Sequence, residues 1–389
     1  MSARREFWWL RGKKSLAPVS WTGGMALLVA LLVVSGGLLS GEPVSGAANP
    51  QRPARRDEAA QRPRVRSDDE VAAMVSLYTP RVRAAIDLGL AWLAQQQAPN
   101  GSFGSGGFRG NVAVTALAGL AFMTAGHVPG EGPYGDVVER AVGYILDCTG
   151  ESGFIESKGS TFHGPMYGHG FATMFLAEAY GMTQHPSIRE KLKKAVRLIV
   201  NSQNKDGGWR YFPGSVDADI SVTVCQIMAL RAARNAGIYV PKEVVDKCID
   251  YVRRSQNADG GFMYMIHGGA SAPPRSAAGV VALYSAGVYE GDQIRRGLDY
   301  LMRTFLPAGG IGRPSSHYFY GHYYAVQAMW QAGEPYWSRW YSAIRDELLA
   351  TQVRPAGYWE DATVCREYGT AMAVIILQTP NTHLPIFQR

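Results

Sequence analysis

"SQNKDGGW" (Ser202 to Trp209) and "SQNADGGF" (Ser255 to Phe262) are one phrase written twice, 53 residues apart. Each reads as a tight turn. Asp206 or Asp259 can bond its own backbone, Gly207-Gly208 or Gly260-Gly261 can take positive φ, and the closing aromatic can pack between neighbouring units. Looser versions stand at "QQQAPNGSF" (Gln95 to Phe103), "CTGESGF" (Cys148 to Phe154), "PAGGIG" (Pro307 to Gly312) and "TQVRPAGYW" (Thr351 to Trp359). With Phe103, Phe154, Trp209, Phe262, Ile311 and Trp359 taken as equivalent, the steps are 51, 55, 53, 49 and 48 residues. A period near fifty, repeated six times, marks an array of helical hairpins.

Between the turns two kinds of helix alternate. Stretches such as "REKLKKAVRLIV" (Arg189 to Val200) carry charge on one side, whereas "VAVTALAGLAFMTAG" (Val112 to Gly126) and "SVTVCQIMALRAARNAG" (Ser221 to Gly237) are apolar almost all round. The first kind suits an outer ring and the second a buried inner ring. The expectation is an all-α fold, six hairpins closed on themselves so that no end of the array needs a polar cap.

The "QNxDGGW/F" turns at Gln203 to Trp209 and Gln256 to Phe262 resemble the Gln-Trp type repeats of the squalene-hopene cyclase and protein prenyltransferase superfamily. That resemblance implies an α/α toroid (barrel) over about Val71 to Leu377. It speaks for architecture more than for chemistry.

The formal charge of +7 is unevenly placed. Residues 1–66 hold 11 Lys or Arg against 4 Asp or Glu, which leaves 28 of each sign beyond them. The body is neutral and has no basic stripe, so no nucleic-acid partner is expected. The leader runs from a basic start (Arg4, Arg5, Arg11, Lys13, Lys14) through an apolar core (Met25 to Leu39) to "SGAA" at Ser45 to Ala48. Residues 1–48 read as a signal peptide or, uncleaved, an N-terminal membrane anchor, and "RREF" at Arg4 to Phe7 resembles a twin-arginine export signal. Residues 49–70 read as a disordered Arg/Pro-rich linker, and 71–389 as the toroid. The expected location is periplasmic, cell-envelope or secreted. Cys148, Cys225, Cys248 and Cys365 have no C-x-x-C spacing and fall in apolar patterns; buried free thiols are expected, with a Cys225–Cys248 disulfide as the alternative.

All six inner helices run the same way, so their N-termini gather unsatisfied N–H groups and partial positive charge at one end of a central cavity. The residues at those starts are candidate ligand contacts. The second unit offers His163, Tyr167 and His169, and the fifth offers His317, Tyr320 and His322; both contain Tyr-Gly-His and stand opposite each other in a ring of six. The fourth offers Arg275, the sixth Arg366, Glu367 and Tyr368. The histidines have an equally direct reading as caps that satisfy loop backbone.

The third unit carries Asp217-Ala218-Asp219-Ile220-Ser221. In terpene cyclases that protonate an alkene, the resemblance implies Asp-x-Asp-Asp-Thr here, which would make Asp219 the acid and Asp217 its partner. Isoleucine stands at the third acidic position. Such an acid must stay protonated, as close carboxylates and an apolar cavity allow, and aromatic walls would stabilise the cation. The competing reading is that Asp219 or Ser221 caps the inner helix. Those cyclases also enclose their site between two toroids, and this chain has one. The prenyltransferase branch would need an Asp-x-Cys zinc pair, absent from every inner-helix start, so neither metal nor cofactor is expected.

Three functions follow: an exported class II terpene cyclase-like enzyme acting on an isoprenoid or other lipid; a non-catalytic secreted toroid whose polar rim grips a peptide, lipid head or glycan; and a polysaccharide-active α/α-barrel enzyme using Tyr, His and Arg. The expected partner is a hydrophobic or polar-headed small molecule. A cyclase requires Asp219 in a cavity closed to water, a binder an open rim with Asp219 bonded to its own helix, and a lyase an arginine within reach of Tyr167 or Tyr320.

Overall fold

The computed structural model describes residues 66–157, 164–307, 317–381 and 384–388. The leader, His163 and Ile311 lie outside the described residues. Among them there are thirteen α-helices and no strand: α1 Asp68–Ser76, α2 Pro80–Gln96, α3 Val112–Thr124, α4 Gly135–Asp147, α5 Pro165–Thr183, α6 Pro186–Asn201, α7 Ile220–Asn235, α8 Lys242–Arg254, α9 Pro273–Ser285, α10 Asp292–Thr304, α11 Tyr318–Ala332, α12 Tyr336–Thr351 and α13 Arg366–Gln378. None of the described helices is long and apolar enough to cross a membrane.

The inner ring is α3, α5, α7, α9, α11 and α13, each packed on the next, and α13 returns to α3 to close it. The outer ring is α2, α4, α6, α8, α10 and α12. Twelve of the thirteen residues of α3 are buried, while α8 buries only Val244, Cys248, Tyr251 and Val252. That contrast is the difference between a helix surrounded by protein and one with a solvent face. α1 precedes the ring and starts at Asp68, inside the stretch read as linker. A Ser67–Glu70 capping box starts it, a local signal that the charge-rich composition had hidden.

The repeated turn works differently from the sequence reading in three respects. Only the first glycine of each pair has positive φ, +95° at Gly207 and +91° at Gly260. A Cβ on Gly207 would lie 2.2 Å from the Lys247 carbonyl oxygen of α8, so close approach to the next unit excludes a side chain there. In the third unit the turn is bonded by Asn204, whose Oδ1 accepts from the Asp206 and Gly208 amides. In the fourth unit Asp259 does this for Gly261. The third correction concerns register: Gly153 has φ +89° and stands where Gly101 and Gly207 stand, which makes the buried Ile155 the equivalent of Phe103 and Trp209. Phe154 is the aromatic neighbour that sequence alone selects. The first three steps become 52, 54 and 53 residues, more even than before.

The glutamine of the phrase is the clamp between units. Gln203 Nε2 donates to Gly207 O at 2.9 Å in its own turn and to Val244 O at 2.8 Å in the next outer helix. Gln97 and Gln256 do the same to Val137 and Gln293. Gln352 reaches Ala85 O at 2.9 Å, which joins the sixth unit to the first. Each clamp donates to two carbonyls, one in its own turn and one near the start of the next outer helix, and so ties neighbouring units together. All four cysteines are free, Cys148 half-buried and the others buried.

Candidate ligand cavity

A cavity of about 780 Å³ opens at the end where the six inner helices start, and every unit contributes to its wall. Its apolar side is Val112, Val114 and Leu117 of α3 with Phe108 and Phe171; tyrosines 167, 211, 264, 320 and 368 surround the rest. Of the residues singled out from sequence, Tyr167, Arg275, His317, Tyr320 and Tyr368 line it. The Tyr320 hydroxyl donates to Ser221 O at 3.1 Å, a bond that spans from α11 to α7. Arg275 donates Nε to Phe262 O at 3.1 Å and Nη2 to Ala270 O, so its guanidinium is engaged in holding its own loop.

The other candidates lie away from that wall. His169 is buried between units: its Nδ1 accepts from the Ile155 amide at 3.2 Å, and its Nε2 meets Ala195 O at 3.2 Å, which assigns the proton to Nε2. In the other described units the matching amide is held by a hydroxyl, Thr115, Thr223, Ser276 or Thr370. His169 is the imidazole version of that recurrent bond, and burial pulls it down to about 4. His322 stacks on Phe305 with ring centroids 4.3 Å apart and is held neutral, near 3, by the same desolvation. The paired Tyr-Gly-His motif therefore splits, with the tyrosines on the cavity and the histidines behind it. Arg366 pairs with Glu360 at 2.9 Å on the surface, and Glu367 is buried, accepting from Ser105 Oγ at 2.9 Å. His163 lies outside the described residues.

Asp219 has no exposed surface. Its Oδ1 accepts from the Ser221 and Val222 amides, both at 2.9 Å, and from Ser221 Oγ at 2.6 Å, making it the N-cap of α7. Oδ2 has no hydrogen-bond partner among the described residues; Arg210 Nε stands 3.7 Å away. Burial raises the carboxyl above its ordinary range, against the opposing pull of Ser221, Val222 and Arg210. Asp217 is part-exposed, 3.8 Å from Arg210 Nη1. Neither aspartate lines the cavity, but Ser221, the hydroxyl bonded to Asp219, does.

Sequence reasoning passed over Arg210, Tyr211 and Tyr264. Arg210 lies over the Tyr211 and Tyr264 rings at 4.6 and 5.3 Å, and the two hydroxyls meet at 2.5 Å. One cation thus braces two wall residues and faces both aspartates. The usable signal was repetition: Tyr211 and Tyr264 each stand two residues past the turn aromatic. Among the described residues no three His, Cys, Asp or Glu side chains converge as a metal group would.

The squalene-hopene cyclase C-terminal domain family matches residues 172–315, and the prenyltransferase alpha-alpha toroid domain family matches residues 70–192. Together the two matches span residues 70–315 and support the squalene-hopene cyclase and protein prenyltransferase superfamily that the turns resemble. Within that superfamily, lanosterol synthase of Candida albicans is 27% identical over 146 residues, 35% of this chain. The chain spans only 19% of that relative's length. Among solved structures, the type II terpene cyclase MstE from Scytonema aligns with a TM-score of 0.54 at 16% identity, over 77% of this chain and 97% of that one. A GH76 alpha-1,6-mannanase of Salegentibacter sp. HEL1_6 aligns with a TM-score of 0.57 at 10% identity, over 76% and 97%. At these identities the structural matches carry the fold alone.

Proposed function

We propose that this chain is an exported binding toroid that holds an isoprenoid or similar apolar chain in the tyrosine-lined cavity, with the polar head toward the helix N-termini. The observation that carries this reading is the division of labour at α7. The cavity wall is aromatic and open, while the carboxylate best placed to be an acid is turned into its own helix and shielded from the cavity by Ser221. A volume of about 780 Å³ is in the range of pockets that bury most of a small lipid. The partial positive charge of the inner-helix N-termini and the Tyr167 hydroxyl suit a hydroxyl or an anionic head. The export half of the proposal rests on the signal-like leader.

A second reading, cyclisation by Asp219 as acid, is favoured by one feature: Ser221, whose Oγ donates to Asp219 Oδ1, lines the cavity, so a single residue stands between the carboxyl and a ligand. One experiment separates the two. Purified protein is titrated with farnesol and geranylgeraniol by intrinsic fluorescence, then incubated with them and with their diphosphates, and the extracts analysed by gas chromatography and mass spectrometry. Saturable binding without product is the expected result. A cyclised product that disappears in a folded Asp219→Asn variant would establish the second reading. Binding of mannan oligosaccharides in place of prenyl alcohols would overturn both.

A further inference from the structure

The deep end of the cavity is built from residues far apart in sequence. Leu117 and Phe171 are the lining residues furthest along their helices. Phe171 belongs to the second unit, and its ring meets Tyr323 of the fifth, at 6.1 Å and 68°. Those units face each other, so this edge-on pair closes the bore from side to side. Beneath it lies Phe387, whose ring is 6.2 Å from Tyr323 at 86°. Phe387 sits in the short 3-10 turn Pro385–Phe387 that follows α13, and is buried.

Three inner helices hold that segment near their C-terminal ends, by its backbone. Arg231 Nη2 of α7 donates to Gln388 O at 2.6 Å. Gln331 Nε2 of α11 donates to Phe387 O at 3.2 Å, and the Glu178 carboxyl of α5 accepts from the Ile386 amide. The seat is under-satisfied: Glu178 Oε2, Gln331 Oε1 and the Tyr323 hydroxyl, all buried, have no hydrogen-bond partner among the described residues. The Tyr323 ring is fully buried and packed against Phe171, Tyr324 and Phe387.

We propose that the Phe171–Tyr323 pair, propped from below by Phe387, is the floor of the cavity and sets the longest apolar chain it accepts. This rests on the lipid-binding reading above and deepens it: the ligand class is a linear prenyl chain up to a limit, and the limit lies in the segment Leu384–Gln388. Each further methylene buried is worth about fourfold in affinity, so affinity climbs with chain length until the end of the chain meets the floor.

The test is a series of prenyl alcohols of increasing length, bound to the full-length protein and to Phe387→Ala, with Phe387→Leu as the milder variant and circular dichroism and melting to confirm folding. In the unchanged protein affinity rises with length to a limit and then falls. In Phe387→Ala the next longer alcohol tightens by roughly tenfold, equal to about two more buried methylenes, while shorter alcohols bind as before. An unmoved limit in a folded variant, or one factor at all lengths, overturns the proposal. Xenon-pressurised crystals of the two proteins give a ligand-free readout: xenon below Tyr323 in the variant, in space continuous with the cavity, is expected. Xenon that is absent there, or walled off, overturns it. Should no prenyl alcohol bind the unchanged protein, the lipid-binding reading fails and xenon alone decides whether Phe387 closes the end of the cavity.

Discussion

Both ends of the bore hold a buried carboxylate, and the helix ends around them have opposite polarity. At the mouth, Asp219 faces the N-terminus of α7 and receives two backbone amides and one hydroxyl on a single oxygen. At the far end, Glu178 sits near the C-terminal ends of the inner helices, where carbonyls predominate. It has one backbone amide, from Ile386, with Arg231 nearby, and burial drives it up from 4.5 to about 8. Burial raises both acids, but Asp219 has a structural task and Glu178 has an under-satisfied setting. In this fold, the end of the ring decides whether an acid is a cap or a liability.

The largest expected effect comes from breaking the cap. Asp219→Ala leaves the first amides of a buried helix without their acceptor and should cost about 2 kcal/mol in urea unfolding; Asp219→Asn keeps an acceptor oxygen and should cost less than half of that. Equal losses would mean that the charge beside Arg210, rather than the cap, is what matters at the mouth. Next is Arg231→Met, which removes the bond to Gln388 and the cation facing Glu178 and should cost about 1–2 kcal/mol. Amide exchange of residues 384–388 should quicken in that variant while the α7 N-terminus keeps its protection, and no change in exchange would dissociate Arg231 from the seat.

The smallest change of side chain is Glu178→Gln, and it shows best as a slope. A carboxyl raised in the folded state holds its proton there while the unfolded chain releases it. Its contribution is thus fully present below about 4.5 and is lost as pH climbs through about 8. Arg231 and Tyr323 are the titratable groups that interact with it. Melting curves from pH 4 to 9 should fall less steeply in Glu178→Gln, and the variant should be the more stable protein above pH 8. Parallel curves would mean that Glu178 finds its compensation in the folded state.

The hairpin ring was legible because it is written locally and repeatedly. A turn phrase with glutamine, glycine and an aromatic recurs near every fifty residues, and the two helix types differ in how much of their surface is apolar. The slip of one residue at Phe154 is of the same local kind: two bulky side chains adjoin, and only the positive φ of Gly153 says which is the equivalent of Trp209. The candidate site was half legible. Direction alone places the inner-helix starts at one end, and Tyr167, Arg275, His317, Tyr320 and Tyr368 all meet there. Which face of its helix a residue occupies was not legible, and Tyr167 and His169, two places apart on α5, go to different surroundings.

By itself the sequence determined the period, the sorting of helices into inner and outer, and the end of the ring where polar residues collect, because turns, amphipathicity and helix direction are properties of short stretches. The tertiary structure alone decided that Asp219 turns into α7, that Arg210 braces Tyr211 and Tyr264, and that Phe171, Tyr323 and Phe387 meet in the bore. Those contacts join residues up to 152 positions apart, between Phe171 and Tyr323, and no local pattern encodes a meeting that exists only once the ring has closed.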